Sequence, residues 1–299
     1  MMFDLYDRPL IIGHRGARGL YPENTLDGFS RAIGLGVEAV ELDVAISADG
    51  VPVVTHDLRL NTDIVRGPDG GWLEPPTPCV LDLSFEQLRA YDVGRLRPGS
   101  AYALHFPQQQ SMDGARIPRL HEVLSLDPTM LLLIEMKTSP QEPDLTVRPV
   151  EMADLIVDAI TTASAVSRSM ILSFDWRGLQ HLRRHHPEVT TGWLTEEMDD
   201  AERRLWWGDE LAARFSGSTA RVITEEGGHC WLPEFREVRE RDVEVAQRLG
   251  LWVIPWNVDR AEDIALAIEW GVDGLITDRP DSALHVRAAK TDRLRQGCC

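Results

Sequence analysis

The sequence predicts an α/β fold, and within that class a (β/α)8 barrel. Short apolar runs alternate with longer runs of helical periodicity, which indicates parallel strands covered by helices. Eight candidate strands are present, the number that closes such a barrel. The 299 residues contain no long polar linker, and this length is usual for a barrel formed as one domain. A doubly wound open sheet is the alternative.

The predicted strands are short runs dominated by apolar and β-branched side chains. They cover residues 10–13, 39–44, 130–135, 170–174, 191–194, 221–224, 251–256 and 274–277, and a further short run at 51–56 follows the second strand. Capping residues predict where helices begin. Asn24 can cap a helix that begins at Thr25, Asp175 can cap a helix over 176–185, and Asp259 with Glu262 has the spacing of a capping box.

Two distant stretches of the chain echo each other in outline. AIGLGVEAVELD (32–43) and AIEWGVDGLITD (267–278) each read as a helix end, a glycine, an acidic residue, a strand and a final aspartate. Asp43 and Asp278 are therefore expected at the carboxyl ends of strands, which form the active face of a (β/α)8 barrel.

Residues 57 to about 118 break the alternation. This stretch is rich in proline and glycine, and its clearest helix is a short one in which Ser84 and Gln87 have capping-box spacing. So long a loop is unusual inside a compact domain. We interpret it as an insertion on the active face of a single domain spanning 1–299, and a misread strand–helix unit is the alternative.

Composition and charge exclude several classes of protein. The chain has 31 Lys and Arg against 48 Asp and Glu, a formal net charge of −17, which argues against a nucleic-acid partner or an anionic membrane surface. It has no apolar run long enough to cross a bilayer, and the acidic N-terminus MMFDLYDRP does not resemble a signal peptide. The cysteines, Cys79, Cys230, Cys298 and Cys299, lack zinc-site spacing. We therefore expect a cytoplasmic protein without stable membrane insertion, and the sequence leaves its oligomeric state and the role of the Cys298–Cys299 pair open.

Carboxylates gather at two predicted strand ends. Glu41 and Asp43 are two residues apart in one strand and share a face, while Glu135 and Lys137 repeat this spacing at the end of LLLIEMK. Buried carboxylates need compensation from a cation or from basic side chains. All-oxygen ligands suit a hard ion such as Mg²⁺ or Ca²⁺. A metal-free network of these groups with Arg15 is the alternative.

Two histidines are expected on the same rim. His14 ends the first strand and His56 ends VPVVTH, and imidazole titrates near neutral pH, so the two could form an acid/base pair. The remaining histidines lie in loop or helix contexts and are interpreted as surface residues, His229 least firmly.

Arg15 suits bidentate phosphate recognition, and Lys137 adds a second positive charge. The sequence contains no Gly-rich nucleotide loop and no Gly-x-Ser-x-Gly elbow, and no Ser or Cys stands out as a nucleophile. This combination favours metal-assisted attack on a phosphoester.

The ordered motifs HRG, PENT, ELDV, THD, IEMK, PWNVD and ITDRP closely resemble those of the glycerophosphodiester phosphodiesterases, from about residue 9 to residue 283. The resemblance implies a TIM barrel with an insertion after the second histidine. It also implies hydrolysis of a glycerophosphodiester to sn-glycerol 3-phosphate and an alcohol, with one divalent cation, Mg²⁺ or Ca²⁺.

Carried over residue by residue, the resemblance makes His14 and His56 the general acid and base, and Glu41, Asp43 and Glu135 the metal ligands. Arg15 and Lys137 would hold the phosphate and Trp256 would wall the glycerol carbons. Glu23 and Asp278 would support these groups, or serve only as a turn residue and a helix cap. The insertion is longer than in compact family members, which leaves the preferred alcohol open. Action on lysophospholipids, with Tyr102, Leu104 and Phe106 as an acyl groove, and non-catalytic binding of phosphate head groups are the alternatives.

Overall fold

Parallel strands form the centre of the structure. The computed structural model describes residues 9–297, and the side chains of residues 9–290. Its strands are β1 (Leu10–Gly13), β2 (Ala39–Ile46), β3 (Pro52–Val54), β4 (Leu131–Met136), β5 (Ser169–Ser173), β6 (Thr190–Thr195), β7 (Cys230–Pro233), β8 (Trp252–Val253) and β9 (Gly274–Thr277). The order is β8-β7-β6-β5-β4-β2-β1-β9, parallel at each of these pairings, and β3 pairs antiparallel with β2.

Backbone hydrogen bonds join the two ends of this sheet. The amide of Asp273 donates to the carbonyl of Val253 at 3.0 Å, and the amide of Ile276 donates to the carbonyl of Pro255 at the same distance. The amide of Val258 donates back to Ile276 at 2.9 Å. The predicted (β/α)8 barrel is confirmed, and the open-sheet alternative is excluded.

Helices cover the outside of the barrel, and α2 and α3 belong to the segment 57–118 at its mouth. The helices are α1 (Leu26–Leu35), α2 (Phe85–Leu88), α3 (Ala101–His105), α4 (Leu120–Leu124), α5 (Pro149–Thr162), α6 (Trp176–His185), α7 (Asp200–Trp207), α8 (Asp209–Arg214), α9 (Thr219–Glu225), α10 (Glu240–Arg248), α11 (Ala261–Glu269) and α12 (Pro280–Gly297). None of the described helices is both long and apolar enough to cross a membrane. The predicted features of the first eight residues and of Cys298 and Cys299 lie outside the described range, whereas Cys79 and Cys230 are free and buried.

The alternation of side chains along β2 divides the core into two layers. Val40, Leu42 and Val44 point outward and pack in the layer between strands and helices. The inward side chains of neighbouring strands, among them Leu133 and Leu172, fill the barrel interior. Because successive residues of a strand point to opposite faces, Glu41 and Asp43 face inward above this filling.

The predicted strand at 221–224 is wrong. These residues lie in α9, which buries Ala220, Val222 and Ile223, and the strand is β7, nine residues downstream of 221. The β-branched residues of RVIT mimic a strand, and packing of one helix face overrides that preference. The CWLP segment of β7 contains a proline and no β-branched residue, so little in its sequence indicates a strand.

Two predicted caps are also wrong, and both side chains turn towards the strand ends. Thr25 caps α1 by accepting from the amide of Gly28 at 3.0 Å, and Asn24 instead contacts Asp43. Arg260 is the N-cap of α11, and Asp259 accepts from the amide of Asp278 at 2.7 Å. The caps of α6 by Asp175 and of α2 by Ser84 with Gln87 are confirmed.

Residues 57–118 contain α2, α3 and a 3₁₀ turn at Val80–Asp82, and no strand of the barrel. Their apolar side chains form a buried cluster that includes Val80, Phe85 and Leu88. This cluster packs against Ala45 and Val53, which belong to β2 and β3. The segment therefore lies next to the barrel mouth with apolar packing of its own.

Candidate active site

The predicted residues meet at the carboxyl ends of strands: most of them lie at the ends of β1, β2, β3 and β4, and Trp256 and Asp278 follow β8 and β9. The parallel register sets Asp43 of β2 beside Glu135 of β4, so their carboxylates are neighbours. A cavity of about 220 Å³ opens above them. Its polar lining is His14, Arg15, Arg18, Glu41, His56, Glu135, Lys137 and Asn257, and its apolar lining is Leu172, Phe174, Leu194, Trp256 and Ile276.

Glu41, Asp43 and Glu135 each offer an oxygen within 4.8 Å of the others. Glu41 Oε1 and Asp43 Oδ1 are buried and have no hydrogen-bond partner among the described residues. Burial, reinforced by repulsion from Asp43 and Glu135, raises the pKa of Glu41 well above its usual value. Buried oxygens without a hydrogen-bond partner could bind a cation, and an all-oxygen set of this kind fits a hard divalent ion.

Basic and amide groups hold Asp43 from three sides. Asn24 Nδ2 donates to Asp43 Oδ2 at 2.8 Å, Arg15 Nε lies 3.1 Å from the same oxygen, and Lys137 Nζ lies 3.6 Å from Oδ1. Burial alone would raise the pKa of Asp43, but Arg15, His56 and Lys137 outweigh it and hold the pKa well below its usual value. Asp43 is therefore ionised at neutral pH.

The turn after β1 is strained where it carries chemistry. Arg15 and Asn24 have φ values of 49° and 54°, a left-handed conformation that ordinary residues rarely adopt. Glycine is required at position 13, because a Cβ there would lie only 1.9 Å from the carbonyl oxygen of Gly16. The turn also presents the amide of Arg15, which donates to Glu41 Oε2 at 3.0 Å. Strain of this kind gathers at functional sites, where the surroundings hold it in place.

His14 is buried and held at one ring nitrogen. Its Nδ1 lies 2.7 Å from Asp278 Oδ1, and its Nε2 lies 3.7 Å from Glu41 Oε2. Burial lowers the pKa of His14 to about 4, Arg18 acts in the same direction, and Asp278 opposes both. Asp278 receives a bidentate contact from Arg18 at 2.9 and 2.7 Å. Its carboxylate can only accept, so neutral His14 carries its proton on Nδ1 and presents a lone pair at Nε2. The side-chain amide of Asn257 lies 2.8 Å from Nδ1, and this tautomer requires it to present its oxygen to the same proton.

His56 stands at the opposite, more open side of the cavity. Its side chain is 33% exposed, and Nδ1 lies 2.7 Å from Asp57 Oδ1. Asn61 Nδ2 donates to the other oxygen of Asp57 at 2.7 Å. Burial alone would raise the pKa of Asp57, but the hydrogen bond and the charge of His56 lower it. Each histidine thus has a carboxylate on Nδ1.

A chain of contacts links the segment 57–118 to both sides of this site. Arg15 Nη1 donates to Glu23 Oε1 at 2.8 Å, and the Tyr102 hydroxyl donates to Glu23 Oε2. Arg18 Nη1 donates to the same hydroxyl at 3.3 Å. Tyr102 therefore joins the support of Arg15 to the support of His14.

Trp256 forms part of the apolar wall, as the sequence predicts. Its indole Nε1 donates to the carbonyl of Leu232 at 2.9 Å, which fixes the ring. Phe174 meets it edge to face at 5.4 Å between ring centroids. These two contacts set the orientation of the Trp256 ring.

A larger cavity of about 660 Å³ lies beside α7 and β7 and contains none of the predicted site residues. Its charged lining is mostly acidic, including Glu196, Glu197 and Glu237. An anionic substrate needs a local positive site in so acidic a protein, and Arg15, Arg18 and Lys137 supply it in the smaller cavity.

The model of the glycerophosphoryl diester phosphodiesterase family matches residues 14–282. The chain belongs to this family. The family, and with it the enzyme class that the seven motifs predicted, is confirmed.

Relatives of this family match over almost the whole chain. A glycerophosphodiester phosphodiesterase of Caldanaerobacter subterraneus is 28% identical over 281 residues, which are 93% of this chain and 98% of that protein. A crystal structure from Silicibacter pomeroyi, described as that of a candidate glycerophosphoryl diester phosphodiesterase, has a TM-score of 0.85 and 34% identity, and covers 95% of each chain. An Oleispira antarctica phosphodiesterase, solved with the product sn-glycerol 3-phosphate, has a TM-score of 0.68 and 20% identity, over 94% of this chain and 97% of that one.

The structure brings together all ten residues predicted for the site, although Glu23, Asp43 and Asp278 lie behind the groups that line the cavity. Sequence reasoning missed Arg18, Asp57 and Asn257 and gave other roles to Asn24, as a helix cap, and to Tyr102, as part of an acyl groove. Asp57 lies in the quoted motif THD and Asn257 in PWNVD, so a signal existed for these two. His229 directly precedes β7, at the opposite end of the barrel, and its Nδ1 accepts from the amide of Thr191 at 3.0 Å.

Proposed function

We propose that this chain hydrolyses glycerophosphodiesters to sn-glycerol 3-phosphate and an alcohol. The observation that carries the proposal is the convergence of three carboxylates, two histidines and the cations Arg15 and Lys137 on one cavity. The product bound to the Oleispira relative supports the identity of the phosphate product. We infer that one domain, residues 1–299 with an insertion at about 57–118, performs this reaction, and its cytoplasmic location stays a prediction.

Positive side chains would bind the phosphate. Arg15 and Lys137 line the cavity, and their carboxylate partners fix their positions. Glu135 and Asp43 raise the pKa of Lys137 against the opposing effect of burial, so its ammonium stays charged. Trp256 would face the glycerol carbons. These fixed charges orient the diester and stabilise the negative charge that develops on it.

Glu41, Asp43 and Glu135 would hold one divalent cation, Mg²⁺ or Ca²⁺. Such a cation would supply positive charge to the phosphate oxygens during the reaction. The three side chains fit it because two of their buried oxygens have no hydrogen-bond partner among the described residues.

The two histidines would move the protons. We assign the base to His14, because it is neutral at physiological pH and its Nε2 lone pair is free. His56 would protonate the departing alcohol, because it borders both the catalytic cavity and a second, open cavity of about 610 Å³.

This open cavity has a mixed lining that could receive the alcohol. Its polar side chains include Arg59, Asn61, Thr138, Ser139 and Gln141, and apolar side chains such as Leu58, Leu60, Leu145 and Trp206 lie among them. The acyl groove considered for lysophospholipids draws no support from the contacts of its three residues. The Tyr102 hydroxyl contacts Glu23, Phe106 is buried under Arg18, and Leu104 is 74% exposed.

The nucleophile would be the 2-hydroxyl of the substrate's own glycerol. No activated Ser, Cys or Thr lies beside the base among the residues lining the cavity. Attack by a group already tethered to the phosphate gains a large effective concentration. The hydroxyl oxygen would bond to phosphorus as His14 takes its proton, the bond to the alcohol oxygen would break, and water would then open the cyclic phosphate.

Release of glycerol 3-phosphate from glycerophosphocholine tests the function. We expect activity that a chelator abolishes and Mg²⁺ or Ca²⁺ restores. Glu41→Gln should keep the fold yet lose most activity and bind the ion weakly, because one ligand charge is missing. Glu86→Gln, a change at an exposed glutamate, is the control. Full activity after exhaustive chelation would contradict the metal assignment, and binding without turnover of any diester would favour the non-catalytic alternative.

A substrate with hydrogen in place of the 2-hydroxyl tests the nucleophile. It should bind and inhibit competitively but scarcely turn over. Turnover close to that of the glycerol substrate would identify water as the nucleophile, and would leave the roles of the carboxylates and histidines intact.

A further inference from the structure

A second group of metal-ligating side chains lies on the outside of the barrel. Asp154 belongs to α5, His181 belongs to the adjacent α6, and His186 follows the end of α6. We call these three residues the α5–α6 histidine cluster. Each offers a ligand atom within 4.8 Å of the others. Its ligand atoms also differ from those at the barrel mouth: two of the three are imidazole nitrogens, whereas the group at the barrel mouth offers carboxylate oxygens.

Both imidazoles converge on a single carboxylate oxygen. Nε2 of His181 lies 2.7 Å from Asp154 Oδ1, and Nε2 of His186 lies 3.1 Å from the same atom. His186 reaches it because its backbone leaves the helix, with φ −133° and ψ 59°. The end of α6 thus turns the ring back towards α5 instead of continuing along the helix.

From this convergence we propose that the α5–α6 histidine cluster binds a borderline divalent metal ion, Zn²⁺ or a close relative such as Co²⁺ or Ni²⁺. Two imidazole nitrogens and one carboxylate oxygen are a usual three-residue set for such ions, with water as a fourth ligand. Ligand atoms around tetrahedral zinc lie roughly 3.3 Å apart, given the usual bond lengths. The observed distances from Asp154 Oδ1 to the two Nε2 atoms are 2.7 and 3.1 Å, and the half-exposed Asp154 side chain can move by the few tenths of an ångström that separate them from this value.

The surroundings of His186 fit a metal ligand. Its other ring nitrogen, Nδ1, lies 3.8 Å from Glu188 Oε1, so a carboxylate stands behind the ring. A carboxylate in this position orients a metal-bound imidazole and increases its basicity. When the ion binds, the proton on each Nε2 moves to Nδ1 of the same ring, so each imidazole stays neutral and presents the lone pair of Nε2 to the ion. The ion would tie α5 to α6 and stabilise the folded chain.

Calorimetric titration of the untagged chain with Zn²⁺, in excess Mg²⁺, tests the proposal. The tag is omitted because polyhistidine binds the same ions, and Mg²⁺ keeps the barrel carboxylates occupied. We expect one equivalent of Zn²⁺ that disappears in His181→Ala and in His186→Ala and persists in His121→Ala, a change at an exposed histidine outside the cluster. Zn²⁺ should raise the melting temperatures of the wild type and of His121→Ala, and should leave those of His181→Ala and His186→Ala unchanged.

Two further variants keep the test decisive. Asp154→Asn preserves side-chain volume and should also lose the equivalent, which covers the case in which a histidine variant folds poorly. Glu188→Gln should retain it with affinity reduced by roughly 10-fold, the lower range for groups behind a ligand. Failure of the wild type to bind Zn²⁺, or retention of the equivalent by a folded cluster variant, would overturn the proposal.

Discussion

The two histidines of the barrel mouth have the same partner type and very different surroundings. The His14 side chain is 12% exposed, and its Asp278 partner is held in turn by Arg18. His56 is 33% exposed, and its Asp57 partner is about as open. One histidine is fixed inside a network of charges, and the other lies at the border with solvent.

We propose that this difference gives separate tasks to two histidines that the sequence alone treats as equivalent. Burial keeps His14 neutral with its Nε2 lone pair facing the carboxylates, as a base requires. An exposed position suits His56 for exchanging protons with the departing alcohol and then with water. The predictions below test this asymmetry.

Loss of either imidazole should have the largest effect on the reaction. His14→Ala and His56→Ala should each lower kcat by roughly 10²–10⁴, the usual share of acid/base catalysis. A diester of glycerol with p-nitrophenol, which leaves without needing a proton, should rescue turnover by His56→Ala alone. Initial rates on this substrate and on glycerophosphocholine provide the measurement. Rescue of His14→Ala instead would reverse the two roles.

Removing the charge behind each histidine should have a smaller and unequal effect. Asp278→Asn should lower kcat by roughly 10–100-fold, because an amide no longer fixes the ring tautomer of a buried histidine. Asp57→Asn should cost less, because water can reach His56. The measurement is the ratio of the kcat values of Asp57→Asn and Asp278→Asn, provided that both variants keep the circular dichroism spectrum of the wild type. Equal losses would show that burial does not distinguish the two sides.

Protonation of His14 should weaken the fold modestly in acid. Its folded pKa of about 4 lies below the unfolded value of 6.5, so the unfolded chain binds more protons between these values and stability falls as pH falls through this window. In chelator, the wild type should lose about 1 kcal/mol more than His14→Gln between pH 7.5 and 5.5. Urea unfolding at both pH values measures this difference. Parallel losses in the two proteins would show that His14 is not a buried neutral base.

Sequence could place the polar ends of β1, β2 and β4 because parallel strands finish at one edge, so residues far apart in the chain meet there. The same logic could not find Tyr102 or Arg18. Their contacts depend on how the loops fold over that edge, and neither follows an apolar run. Asn24 and Asp259 show the opposite error, in which the sequence predicts a local role that the fold does not use. Each is a residue type that caps helices, but its side chain bonds to a residue distant in the chain instead.

The segment 57–118 packs around apolar residues of its own, and Tyr102, whose hydroxyl contacts the supports of both Arg15 and His14, connects it to the site together with Phe106 and Gln109, which contact Arg18. Its interior can therefore accumulate mutations while the reacting groups stay in place, provided that these contacts and the ends of the segment are preserved. The segment also supplies Arg59, Asn61 and Thr62 to the open cavity beside His56. We infer that, over evolutionary time, the range of alcohols accepted can change through this one stretch while the phosphorus chemistry remains unchanged, which gives directed evolution of specificity a defined place to begin.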